Sequence, residues 1–188
     1  MIKICLGITS TGTIKAKTTL SLIETAKRHD LFSVLQYGNC IDNNREKIIE
    51  LAIKNLCSHL FFVDSDMSFP GDTLERLLEQ DKDVIGAPYN YRFLPLTTTV
   101  KFLGENKELV KKEMPKETFE VYAVGMGCTL IKMSILEKLN KPYFLIKRSM
   151  ADIEFTEDVY FCEKAREAGF SIWCDPKIKV EHWGDYPY

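Results

Sequence analysis

No stretch of this chain approaches the roughly 20 consecutive apolar residues that a membrane-crossing helix requires. No excess of positive charge is present either. Lys and Arg total 25 against 27 Asp and Glu, a formal net charge of -2, which gives no case for nucleic acid or an anionic membrane as the main partner. Six Cys, at positions 5, 40, 57, 128, 162 and 174, are scattered without a CxxC pair. Zinc binding is therefore not expected, and reduced, mostly buried thiols in a cytoplasmic protein are. The opening segment Met1–Ile8 is too short for a secretion signal and reads as a first strand. Repeats, linkers and low-complexity segments are missing as well. What remains is a chain of 188 residues, 45% hydrophobic and 28% charged, long enough to bury a sizeable core as one compact domain.

The sequence is organised around Leu60-Phe61-Phe62-Val63-Asp64-Ser65-Asp66-Met67-Ser68-Phe69-Pro70. An apolar run of this length reads as a strand buried on both faces in a parallel sheet. It ends in two carboxylates at i and i+2, at the strand end where open α/β sheets bind ligands. Such a pair suits a hard divalent cation that keeps positions open for phosphate oxygens. It equally suits a polar turn that starts the next helix.

The rest of the chain frames that stretch. Residues 2–8 predict a strand and Thr9 to Thr13 a small polar loop. Ala16, Leu20 and Ile23 recur at helical spacing between Thr13 and Arg28. A second strand covers Leu31 to Tyr37, a turn-rich loop 38–44, and a helix runs from about Arg45 to Cys57 with Ile48, Ile49, Ala52, Ile53 and Leu56 on one face. After the acidic pair come a helix bearing Leu74, Leu77 and Leu78 and a strand at 83–88. This β-α-β-α-β-α-β order predicts a parallel sheet covered by helices on both sides. Later strands are expected at 97–102, 119–123, 124–132, 144–146 and 171–174. Lys107 to Lys116 reads as an exposed charged loop, 147–155 as irregular, and a short helix follows Ser134. A helix opens at Thr156 and stops at Gly169, a residue suited to a left-handed helix end. The aromatic end Tyr186-Pro187-Tyr188 offers contacts to the domain or to a second copy.

Several further residues carry chemistry in one reading and plain structure in another. Glu157 and Asp158 either favour the helix dipole behind the Thr156 cap or supply a general base. His182 is a satisfied imidazole or a ligand that, with carboxylates, suits manganese. Gly125 and Gly127 mark a kinked strand or a backbone that approaches a bound sugar. Arg45 is solvated or reaches a phosphate, and Tyr89, Tyr91 and Arg92 are structural or line a pocket.

The order of these signals is more specific than any one of them. Asp64-Ser65-Asp66, Gly125-Met126-Gly127, Thr156-Glu157-Asp158 and His182 follow one another as in the GT-A glycosyltransferases, and the chain resembles the small family-2 type of nucleotide-sugar enzyme along nearly its whole length. The resemblance implies an α/β, Rossmann-like GT-A fold with a mostly parallel sheet. Its nucleotide-binding half would lie at about 1–92 and its acceptor half at 93–188. It implies a metal-dependent transferase (EC 2.4 class) that moves a sugar from a UDP- or GDP-sugar to a hydroxyl of a glycan, lipid-linked or small-molecule acceptor. Asp64, Asp66 and His182 would hold Mn2+ or Mg2+, and Asp158 would act as base, supported by Glu157. Thr9, Ser10, Arg45, Asp64, Gly125 and Gly127 would border the donor. The chain is short for this family, and the loop after its second strand lacks an acidic residue for the base unless Asp42 serves.

Two other readings compete. A haloacid-dehalogenase-type phosphatase would use Asp64 as nucleophile and Asp66 as acid/base, with the motif expected on the first strand. An idle sugar-nucleotide-binding module of the same fold would need none of the four motifs filled. A nucleotidyltransferase would want a Gly-rich phosphate loop, and Thr9–Thr13 holds a single glycine.

Overall fold

Leu60, Phe61, Phe62 and Val63 are fully buried, and alternate members enter different core layers, as period-2 side chains on a twice-covered strand must. A computed structural model describes residues 2–104, 109–110, 113–148 and 153–184. Its elements in chain order are β1 (Ile4–Ser10), α1 (Ala16–Arg28), β2 (Leu31–Tyr37), α2 (Ile41–Lys54), β3 (His59–Asp64), β4 (Met67–Ser68), α3 (Thr73–Glu79), β5 (Val84–Gly86), β6 (Lys101–Leu103), β7 (Leu109–Val110), β8 (Phe119–Ala123), β9 (Cys128–Lys132), a 3-10 turn (Met133–Lys138), β10 (Lys147–Arg148), β11 (Ile153–Phe155), α4 (Glu157–Glu167), β12 (Ile172–Cys174) and β13 (Glu181–His182).

A nine-stranded sheet in the order β2-β1-β3-β9-β5-β12-β8-β6-β7 runs through the described chain, and β10-β11 and β13-β4 form two small antiparallel pairs. β1 is parallel to both β2 and β3, and β12 is parallel to β5. β9 lies antiparallel between β3 and β5. Thus β1, β2, β3 and β5 point the same way, as the β-α-β rhythm predicts, but a strand from the second half of the chain separates β3 from β5. The sheet is therefore mixed. On one face Ile48, Ile49 and Ala52 of α2 and Phe161, Cys162 and Ala165 of α4 pack with Leu60 and Phe62. On the other, Leu74 and Leu77 of α3 pack with Phe61 and Val63.

Local departures from the sequence reading have physical causes. Thr9 and Ser10 continue β1 rather than forming a loop, because both pair in register with β2. The buried side of α1 is Thr18, Ser21 and Thr25, while Leu20 and Ile23 are exposed. Ser21 explains the choice: its hydroxyl donates to the Phe69 carbonyl and accepts the Phe69 N–H, so a small polar face docks where backbone must be satisfied. α2 begins at Ile41, and Leu56 lies beyond its end, exposed, with φ 55. Phe144 to Ile146 is not a strand. Phe144 instead stacks on Phe161 with centroids 4.8 Å apart, and β10 follows it, paired with β11 where irregular chain was expected. Gly169 ends the α4 segment with φ 93, as expected of a left-handed stop. Part of the charged loop, at 107–108 and 111–112, and the Tyr186–Tyr188 end lie outside the described residues.

Candidate active site

Asp64 is the last residue of β3, and its place at the sheet's carboxyl edge follows from the strand's length. Thr9 of β1 is its register partner, and the Thr9 hydroxyl donates to Asp64 Oδ1 at 2.5 Å. Arg45 Nη2 donates to the same oxygen at 3.0 Å. The Asp64 N–H donates to the Gly127 carbonyl, fixing the end of β3 against the glycine turn before β9.

Arg45 itself is 1% exposed. It sits beneath the site, between Asp64 and Glu157 (Nε to Oε1, 3.3 Å), with its guanidinium 5.1 Å from the Phe62 ring centroid. Its Nη1 is buried without a hydrogen-bond partner among the described residues. Burial disfavours its charge, yet Asp64 and Glu157 outweigh that and push its pKa up. The sequence left Arg45 either solvated or reaching a phosphate, and the resemblance set it near the nucleotide; in the structure it is not solvated but buried between two site carboxylates. Burial in turn pushes the Glu157 carboxyl up against the opposing pull of Arg45.

Asp66, two residues on, lines the same cleft with partners of its own. Its Oδ2 lies 2.9 Å from Arg92 Nη1 and 3.5 Å from His182 Nε2. Burial opposes its charge, but His182 and Arg92 hold its carboxyl below the ordinary aspartate value. His182 reaches this position because β13 pairs with β4, directly after the acidic turn, and the Trp183 N–H donates to the Asp66 carbonyl at 2.7 Å. His182 Nδ1 lies 2.8 Å from the Asn90 carbonyl. A carbonyl only accepts, so Nδ1 carries a proton and Nε2 is the ring nitrogen left facing Asp66.

Thr9, Ser10, Asp64, Asp66 and His182 line one cleft of about 270 Å³, together with Gly38, Asn39, Asn44 and Arg92. Gly125 and Gly127 lie behind it, where space is short. A Cβ on Gly125 would stand 2.2 Å from the Tyr89 hydroxyl, and one on Gly127 would stand 2.6 Å from Met67 Cε and 3.0 Å from Asp64 Oδ2. The Gly127 N–H donates to the Tyr89 hydroxyl at 3.0 Å. Asp158 occupies the first turn of α4, where its Oδ1 accepts the Thr156 hydroxyl and the Val159 N–H. Asp42 is engaged twice, accepting the N–H of its neighbour Asn43 and that of the distant Ile146.

Sequence reasoning left out Asn90, whose contribution is a carbonyl and so leaves no side-chain signature. It noticed Tyr89 and Arg92 only as generic pocket candidates. The geometry also bears on the rival chemistries. A haloacid-dehalogenase-type phosphatase expects its acidic pair on the first strand, and here Asp64 ends β3. Among the described residues no three of His, Cys, Asp and Glu form a ready metal cage; Asp66 and His182 are the converging pair. A larger cleft, about 660 Å³, opens around Cys57, His59 and Lys132 with Glu137 as its single carboxylate, away from every motif.

No protein-family model matches the chain, and no curated protein matches it in sequence. Solved structures match it in shape. A197 from STIV aligns over 98% of this chain and 87% of its own length, with a TM-score of 0.70 and 23% identity. GalNAc-T7, solved with UDP, GalNAc and Mn2+, aligns over 97% of this chain with a TM-score of 0.57 and 11% identity, and this chain spans 44% of its length. At such identities the likeness is one of fold alone. The chain has an α/β fold of the GT-A type.

Proposed function

We propose that the chain is a metal-dependent glycosyltransferase that moves a sugar from a nucleoside diphosphate sugar to an acceptor hydroxyl. The observation that carries this reading is the His182 ring. Its Nδ1–H is fixed on the Asn90 carbonyl while Nε2 faces Asp66, the arrangement by which a backbone carbonyl orients a metal-ligating imidazole. Asp66 and His182 fit a divalent cation such as Mn2+ or Mg2+, with water and phosphate oxygens completing the shell. Asp64 takes a different part in this reading: held by Thr9 and Arg45, it borders the donor's ribose or sugar. A bound cation would supply Lewis-acid stabilisation of the charge that develops on the diphosphate. Residues of the first half of the chain, including Thr9 and Ser10, hold the nucleotide. The second half brings Gly125 and Gly127 to the sugar and Asp158 to the acceptor.

Asp158 is the proposed base for an inverting transfer. Its Oδ1 is held in place by Thr156 and the Val159 N–H, and Oδ2 accepts no hydrogen bond among the described residues. That leaves one oxygen to take the acceptor's proton. Asp158→Asn should lower transfer by about 10²–10⁴-fold with donor affinity near normal; lost donor binding would make the residue structural. A thermal-shift screen of nucleoside diphosphates with Mn2+ identifies the donor class. At a ligand concentration about 100 times Kd, the matching nucleotide should raise Tm by roughly 5–10 °C. A set of nucleotides that leaves Tm unmoved contradicts the reading.

A further inference from the structure

The chain beyond β5 forms a hairpin whose polar and apolar side chains are turned the wrong way round for an ordinary surface loop. It is closed by the Asn90–Thr98 bridge and by the Tyr91 N–H bond to the Thr97 carbonyl, 2.9 Å. At its tip Arg92 turns inward to Asp66. Phe93, Leu94 and Leu96 instead point to water, 52%, 70% and 56% exposed. Tyr91 stacks on Phe93 with centroids 5.3 Å apart, which stiffens the apolar end. Single exposed apolar residues need no explanation, but three within four positions at the rim of a cleft call for a partner. Tyr37, 75% exposed, ends β2 at the same carboxyl edge of the sheet.

The local charge identifies the partner's chemistry. From Val84 to Gly104 there is no carboxylate, and Arg92 and Lys101 are the charged residues, in a chain whose acids outnumber its bases overall. Lys101 Nζ lies 5.4 Å from the Tyr91 ring centroid, beside the apolar tip. With Arg92 already paired to Asp66, an apolar wedge with stacked aromatics and Lys101 at its flank suits the headgroup layer of an anionic bilayer, where rings sit at the interface and long basic side chains reach phosphates. A second copy fits less well. A stable dimer buries about 800 Å² per partner, far more than a three-residue tip offers.

We propose that the 91–96 hairpin tip is a membrane-interface anchor, which lies in the headgroup layer of an anionic bilayer and turns the adjacent cleft toward that surface. The tip rests on the bilayer reversibly; among the described residues no helix is long and apolar enough to cross it. This surface stands apart from the transferase reading, and its test needs no turnover. The full chain is sedimented with phosphatidylcholine vesicles made with and without phosphatidylglycerol. Wild type should pellet with the anionic vesicles, and rising salt should weaken binding. Phe93→Ser/Leu94→Ser/Leu96→Ser should lose ~10-fold or more of the partition, and Lys101→Gln, a milder change, should weaken it on anionic vesicles alone. A Phe93→Trp reporter should shift its emission to the blue on those vesicles. Wild type that stays in the supernatant with both vesicle types overturns the proposal. So does a triple-serine variant that is folded by circular dichroism and pellets as wild type does. A wild-type dimer that the triple variant converts to a monomer, seen by light scattering, assigns the tip to self-association and also overturns it.

Discussion

Arg92 and Arg45 are two cations facing two carboxylates of one motif, and they differ in depth. Arg92 is half-exposed and pairs with Asp66 Oδ2, so its attraction is screened and modest. It occupies the side of Asp66 that a divalent cation would approach. Arg92→Ala should therefore raise Mn2+ affinity, measured by electron paramagnetic resonance without donor, by about 2–5-fold. Unchanged affinity would show that the pair does not compete with the metal. Arg45 is buried between Asp64 and Glu157, and removing it strands two carboxylates. Burial has already raised the Glu157 pKa with Arg45 opposing. A folded value above the unfolded one means that the protonated carboxyl suits the fold, and stability falls as pH rises through the folded pKa. Arg45→Met lifts that pKa further. Its loss relative to wild type should be small below the ordinary glutamate value of 4.5 and reach about 3–5 kcal/mol at neutral pH, read from urea midpoints. A loss independent of pH would contradict the buried counter-ion role. Spacing brought Asp64 and Asp66 forward as candidates, and the resemblance added His182. Neither could give Arg45's depth, because burial of a cation is decided by partners far away in the chain, here Glu157.

At the level of elements, the crevice depends on β9 entering between β3 and β5 through a turn in which glycine is required by space. Gly127 leaves no room for a Cβ beside Met67, Tyr89 and Asp64, although its backbone carries no positive φ. Gly127→Ala should cost about 1–3 kcal/mol through overpacking, seen as a lower urea midpoint with unchanged slope. Gly12→Ala should act differently, through its φ of 133 with open space around it, and so by backbone strain alone. Helix and strand periods announced most elements, and β2 and β8 begin and end where their apolar runs do. The antiparallel insertion of β9 was not legible. Alternation reports which face a residue takes, not which strand lies next to it. The polar buried face of α1 was hidden for a related reason: Ser21 is buried because the Phe69 backbone, far along the chain, needs a partner.

For the whole molecule, the β-α-β-α-β-α-β order pointed to an α/β domain, and the nine-stranded sheet with its flanking helices fulfils that. Bulk charge also concealed something, since an average over 188 residues cannot show a carboxylate-free hairpin at the rim of the cleft. The central claim is that Asp66 and His182 hold a divalent cation against a donor diphosphate. Consumption of nucleotide-sugar, followed with and without Mn2+ for wild type and Asp66→Ala, tests it most directly. The account predicts Mn2+-dependent release of nucleoside diphosphate by wild type, and its loss in Asp66→Ala with the fold intact by circular dichroism. An Asp66→Ala protein that consumes donor in Mn2+ as fast as wild type would contradict it.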